Sequence, residues 1–218
     1  MGALGGGKMK SKILACAIAV LAISAASPVF ACEGKNVLFQ DGFAKVDAAW
    51  EMWTQTKIQD GAMKITAQPK HIAPIFYKGE AFEKADICVD AIVPDVSDPK
   101  DLGTPSLLFE GQAYDDFYAF YISPAYGTAA ISRLLKNKWL HPIPFRKVDG
   151  IVAQPGAKNT LRITLNGAHA SAYVNGNKIV DFLINASEGG GFVGLDVDGG
   201  ETNPVTWSFK NFKVTDLP

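Results

Sequence analysis

The chain has 218 residues, with 21 Lys and Arg against 22 Asp and Glu, 48% hydrophobic and 11% aromatic side chains, and three cysteines. Setting residues 1–31 aside as a leader removes three basic side chains and no acidic one, leaving 187 residues with 18 basic and 22 acidic groups, a formal charge of −4. A mildly acidic, mixed surface excludes the clustered Lys and Arg of a nucleic-acid footprint, and this length suits one domain with a substantial core.

Lys8, Lys10 and Lys12 precede an apolar run from Ile13 to about Ala26, followed by Ser27-Pro28-Val29-Phe30-Ala31. A basic flank, a short apolar segment and a small residue at a cleavage position predict a secretory signal peptide over 1–31, its start at Met1 or Met9. The uncharged stretch 13–31 approaches the ~20 residues of a membrane span. Ser24, Ser27, Pro28 and the small Ala31 favour cleavage over retention, so no transmembrane span is expected after processing and the protein is expected in the periplasm or outside the cell. Cys16 leaves with the leader. For Cys32 and Cys88 three readings stand: a disulfide in an oxidising compartment, a lipid anchor on Cys32 as first residue after cleavage, or a buried Cys88 beside a free Cys32 thiol. Phe30, bulky where lipoprotein signals prefer a small residue, weighs against the anchor. No Cys-x-x-Cys spacing points to zinc or redox chemistry.

After a polar leader, 32–36, the span 37–216 reads as a single β domain. Val37–Gln40 is a first short strand ended by Asp41-Gly42. Lys57–Gln59 and Ala62–Thr66 bracket Asp60-Gly61, a hairpin signal because Gly accepts the positive φ of the turn. His71–Lys78 is another apolar run, and in Asp86–Val93 Ile87, Val89 and Ala91 alternate with Asp86, Cys88 and Asp90. Pro94, Pro99 and Pro105 punctuate a polar loop. Then come Leu107–Gln112, Phe117–Ser123 and Thr128–Leu135, three successive strands separated by short turns. The second half continues with Leu161–Leu165, Ala170–Val174, Lys178–Phe182, Phe192–Val197, Val205–Phe209 and Phe212–Val214. Asn-Gly or Asp-Gly pairs recur at 41–42, 60–61, 149–150, 166–167, 175–176 and 198–199. Short, regularly spaced strands with little helical periodicity predict an all-β antiparallel sandwich.

Asn159–Ile163, Tyr173-Val174-Asn175-Gly176, Gly194-Leu195 and Trp207–Val214 follow one another as in concanavalin A-like jelly rolls. Phe39–Phe43 with Trp50, and Phe117–Phe120, are similar to the opening and central strand of the bacterial laminin-G-like group that includes the 3-keto-disaccharide hydrolase domain. The resemblance spans nearly all of 37–216, and its motifs are turn and core patterns. It implies two stacked, curved antiparallel sheets with any glycan site on the concave face, built mainly from the middle strands.

Within that frame one face of the middle strands is read as presenting Glu110, Tyr118, Phe120, Ser132 and Arg133. With Trp139, expected beside a loop, Glu110, Tyr118, Phe120 and Arg133 form the candidate ligand-binding set: aromatic faces stack on sugar rings while charged groups bond the hydroxyls. Glycoside hydrolysis needs two carboxylates across the scissile bond. No Glu-x-Asp-x-x-Glu run occurs, and Glu110 with Asp196 are the catalytic candidates. Asp196 and Asp198 share one face of a late strand. No cofactor is required; a structural Ca²⁺ is implied only by family analogy, with Asp41 and Asp198 as candidate ligands and Asp196 or Glu201 nearby in sequence. His71, His141 and His169 lack metal spacing, and Gly189–Gly191 lacks the helix of a phosphate cradle. The leading reading is an exported carbohydrate-binding jelly roll, its partner a poly- or oligosaccharide. A glycoside hydrolase of the 3-keto-disaccharide hydrolase type and a structural or adhesive envelope module binding protein are the alternatives.

Overall fold

A computed structural model describes residues 1–3 and 32–218; the expected signal peptide falls on 4–31 and lies outside the described residues. Among the described residues fourteen strands form two antiparallel sheets. The first sheet runs β12 (Asn177–Leu183), β11 (His169–Val174), β10 (Lys158–Asn166), β5 (Lys84–Ile92), β14 (Val205–Thr215), β3 (Met63–Ala67), β2 (Thr56–Ile58), with β1 (Val37–Asp41) also on β14. The second runs β4 (Ile75–Phe82), β13 (Gly191–Asp198), β6 (Thr104–Ala113), β7 (Asp116–Ser123), β8 (Thr128–Leu135), β9 (Lys138–Lys147). The antiparallel sandwich expected from the strand pattern, and the jelly roll that the resemblance implies, is therefore the fold. No described helix is long and apolar enough to cross a membrane.

The core lies between the sheets, where alternate residues of each strand converge. Ile87, Val89 and Ala91 of β5, Leu161 and Ile163 of β10, and Trp207 and Phe209 of β14 meet Leu107 and Phe109 of β6, Phe120 and Ile122 of β7, and Leu195 of β13. Burying each such large side chain contributes about 1.5–3 kcal/mol. Trp207 also donates its indole N–H to the Leu102 carbonyl at 2.8 Å. Strand β14 must place both Phe209 and Phe212 in this core, three positions apart, which strict alternation forbids. The register shift between Lys210 and Lys213 resolves it, with Asn211 in the left-handed region at φ 53° and its amide on Asp90. Sequence reading left the two halves of β14 as separate strands; the bulge joins them.

Asp60-Gly61 and Asn175-Gly176 both adopt positive φ at both positions, as two-residue hairpin turns demand. Trp139, expected beside a loop, stands instead on strand β9. Pro142 and Pro144 masked it, and both are tolerated because β9 is the outer edge of its sheet.

The outer face of the first sheet carries a charged clasp over the start of the domain. Cys32 is disulfide-bonded to Cys88 of β5. The Arg162 side chain, 5% exposed, bonds Asp86 at 2.8 Å and Glu33 at 2.6 Å, while the Glu33 N–H donates to Asp86. The Asn36 N–H and amide donate to Asp216, so residues 32–36 and the end of β14 are fastened together.

Candidate functional site

The second sheet is apolar on both faces, and its outer face holds its own cluster of Phe76, Leu108, Phe117, Ala119, Tyr121 and Leu134. Strand pairing lays these out in rows. One row runs Asp196–Ser106–Tyr121–Ala130, and the next runs Gly194–Leu108–Ala119–Ser132. The small residues Gly194, Ala119, Ser132 and Ala130 leave a depression that rings surround. A Cβ on Gly194 would lie 2.2 Å from the Ile75 carbonyl oxygen and 3.0 Å from the Phe76 ring, so glycine there lets Phe76 lean across the face.

The rings touch edge to face in an unbroken line. Centroids are 5.5 Å apart for Trp53–Tyr114, 5.3 Å for Tyr114–Phe76, 5.6 Å for Phe76–Phe117, 5.9 Å for Phe117–Trp139 and 6.2 Å for Trp139–Tyr121. These separations suit the attraction of a ring's positive edge for a negative face. Lys78 adds its ammonium 4.1 Å from the Phe192 centroid and 5.2 Å from that of Phe76. The line begins at one exposed indole, Trp53 at 51%, and passes through a second, Trp139 at 37%, before reaching buried Tyr121. The Tyr114 hydroxyl accepts from the Trp53 indole and donates to Glu51, and burial pushes it up to about 12.

Beside Trp139 lies a groove of about 260 Å³, lined by Lys70, Ile72, Tyr121, Ser132, Trp139, His141, Phe145 and Asp198. Its end wall is the segment before β4, where Ile72 pairs with Asp198 and the Ala73 N–H donates to the Val197 carbonyl. Ser132 and His141 share a hydrogen bond of 3.0 Å. Exposed Trp139, Phe145, His141 and Lys70 and half-buried Asp198 give the groove stacking surfaces, donors and an acceptor. Under its floor Asp196 is fully buried, accepting from the Ala73 N–H at 2.8 Å and more distantly from Tyr121 and Ser106. Burial first, and then the charge of Asp198, raise its carboxyl to about 7. Burial likewise raises Asp198.

Of the ligand-binding set read from the sequence, Trp139 alone lines this groove. Phe120 is fully buried between the sheets, and Tyr118 is stacked there on Phe109 at 5.4 Å. The alternation was read in the wrong phase: both phases of β7 are apolar, and a one-residue shift exchanges the faces. The bulkier Phe120 and Ile122 fill the inter-sheet core, turning Phe117, Ala119 and Tyr121 outward. Arg133 pairs across the hairpin with Tyr118 and shares its inward side, with its guanidinium 5.0 Å from the Tyr118 centroid and 3.0 Å from Asp116.

Glu110 is 3% exposed at a bulge of β6, with φ 50°, and accepts from the Ser187 N–H. Gly191 permits that bulge, since a Cβ there would lie 2.4 Å from the Glu110 Cα. The catalytic pairing of Glu110 with Asp196 fails on distance. Asp196 sits opposite Ser106, four residues from Glu110, or about 13 Å along a strand. Of the calcium candidates, Asp41 has both carboxylate oxygens engaged, by the Phe43 N–H and the Trp50 indole. Among the described residues no three His, Cys, Asp or Glu side chains converge as a metal site. Tyr121, Phe145, His141, Lys70 and Ile72 escaped notice as groove residues. The Phe117-x-Ala119-x-Tyr121 spacing, read against a small residue on each neighbouring strand, is the signal that marks Tyr121.

No protein-family model matches the chain, and no curated protein matches it in sequence. Solved structures do match in fold. A carbohydrate-binding module, CBM66 from Bacillus subtilis, superposes with a TM-score of 0.64 at 13% identity, over 77% of this chain and 96% of that one. The catalytic domain of an endo-1,3-β-glucanase (laminarinase) from Thermotoga petrophila gives 0.59 at 10% identity, over 86% and 100%. A glycoside hydrolase family 16 endo-glucanase from Bacteroides ovatus gives 0.58 at 13% identity, over 82% and 100%. At such identities the likeness is one of architecture alone: a two-sheet antiparallel jelly-roll sandwich.

Proposed function

We propose that the protein is an exported carbohydrate-binding module that holds an extended glycan against the outer face of the six-stranded sheet. The observation that carries this reading is the ring line from Trp53 to Trp139 ending in the groove of Tyr121, Ser132, His141 and Asp198. The exposed rings of Trp53, Trp139 and Phe145 offer faces that stack on the apolar sides of pyranoses, the buried Phe76 and Phe117 back them from beneath, and the polar groups at the groove bond hydroxyls. Crossing the six strands takes five inter-strand steps, about 24 Å, which suits a chain of several sugars rather than a single one. The fold shared with a carbohydrate-binding module and glucanases supports the reading.

Glycoside hydrolysis by the usual pair of an acid and a nucleophile or base would need two carboxylates facing each other across a bond. Glu110 and Asp196 are too far apart, and Asp196 is covered. Export is supported by the basic and apolar leader together with the Cys32–Cys88 disulfide. That bond also occupies the sulfur a thioether lipid would need, which favours release over anchoring.

Isothermal titration calorimetry against linear and branched poly- and oligosaccharides tests the proposal. Binding is expected to fall about tenfold, or about 1.4 kcal/mol, in Trp139→Ala. Absence of binding to every glycan, or binding indifferent to both Trp139→Ala and Phe145→Ala, would overturn it.

A further inference from the structure

Strands β9 and β12 are the outer edges of their sheets, and they flank the same open side of the sandwich. At one end Arg146 of β9 closes that side by donating to the Ile179 carbonyl of β12 at 2.6 Å. Further along the strands part, leaving a cleft of about 420 Å³ between Leu140 and Pro142 on one side and Leu183 and Asn185 on the other. Its lips are apolar and exposed, Leu140 at 48% and Leu183 at 67%.

Arg133 and Tyr118 line the same cleft. The guanidinium gives one N–H to Asp116 and one to the Tyr118 hydroxyl, and its buried Nε has no protein acceptor. A guanidinium carries five N–H groups, so donors remain for an incoming oxygen. Asp116 already balances the charge, and the Glu110 carboxyl lies near enough to feel it, which disfavours an anion. A neutral hydroxyl suits these donors, and the leucine and proline lips suit the apolar edge of the ring that bears it. His141 lines both this cleft and the groove, so only the width of β9 separates the two.

We infer that the cleft receives one sugar residue carried as a branch on the chain that occupies the groove, making the ligand a side-chain-bearing polysaccharide. The inference rests on the carbohydrate-binding reading and adds the class of glycan to it.

The test is calorimetry on residues 32–218 with oligosaccharides matched in backbone. Cellohexaose is set against a xylose-branched cello-oligosaccharide, and mannohexaose against its galactose-branched counterpart. For whichever backbone binds, the branched member is expected to bind about tenfold more tightly. Leu183→Asp, at an exposed position, should bring the branched ligand down to the affinity of the linear one. Arg133→Lys, which keeps a charge opposite Asp116 but loses the fork, should do the same. Trp139→Ala should weaken both members of a pair. Equal affinities in the unaltered protein, or a branch preference that survives both cleft variants, would overturn this inference and leave glycan binding standing. Failure of these oligosaccharides and of every other linear and branched glycan in the titration series to bind would remove both.

Discussion

Asp196→Asn offers a sharp test of how the groove floor is built. The carboxyl is fully buried, and burial together with Asp198 raises it from the ordinary aspartate range to about 7. For an acid raised in the folded state, the unfolded chain binds fewer protons between the two values. Stability must therefore fall as pH rises through that window and level off above the folded value. Between pH 5 and about pH 7 each pH unit removes stability on the order of 1 kcal/mol, a loss of roughly 2–3 kcal/mol by pH 8. Asparagine has nearly the same shape and no charge. Its amide oxygen can still accept from the Ala73 N–H, and its NH₂ can meet the Tyr121 or Ser106 hydroxyl, which turns to accept. Urea unfolding of both proteins at pH 5 and pH 8 should show the variant gaining roughly 2–3 kcal/mol on the parent over that interval. Other titrating groups act in both proteins and largely cancel in the difference. A difference that stays the same at the two pH values would refute the claim that an ionisable carboxylate is trapped beneath the groove.

The phase of β7 is checked by comparing Phe120→Ala with Trp139→Ala in denaturant unfolding: the first should cost about 3–5 kcal/mol, the second less than about 1. Asp101 lies buried between two loops and accepts from the backbone and side chains of Thr202 and Asn203, which hold its carboxyl well below the usual range. Such a group stabilises the fold above its unfolded pKa, and that contribution is lost as pH falls. Asp101→Asn should thus be clearly less stable than the parent at pH 7 by thermal melting, with the gap closing towards pH 3. Removal of the disulfide in a Cys32→Ser, Cys88→Ser double variant opens a loop spanning 56 residues. Loop entropy then predicts a loss of about 4 kcal/mol in guanidinium unfolding.

Much of the architecture was legible because its determinants are local. Ile87-x-Val89-x-Ala91 announces a strand by its alternation, and Asp60-Gly61 and Asn175-Gly176 announce their turns. The site was less legible because its determinants lie across strands. Phe117–Ile122 is apolar in both phases, so only the neighbours decide which set turns outward, and Phe120 and Tyr118 were assigned to the wrong side. Strand β9 was hidden by Pro142 and Pro144, whose meaning changes once the strand is known to have a partner on one side only. Glu110 was taken for an ordinary strand position, but a left-handed residue breaks the alternation there, and the room for it comes from Gly191, far away in sequence. Trp139 is exposed, but it stands on the edge strand β9 rather than beside the loop that its neighbouring prolines suggest.

The clasp formed by Cys32–Cys88, Arg162 and the Asn36–Asp216 pair has an architectural consequence. It gathers the entry and exit of the domain at a single location, with the whole thickness of the sandwich between the Cys32–Cys88 bond and the ring line. A tether, a neighbouring module or a solid support joined at residue 32 would hold the protein by its back and leave the aromatic front free to meet a surface.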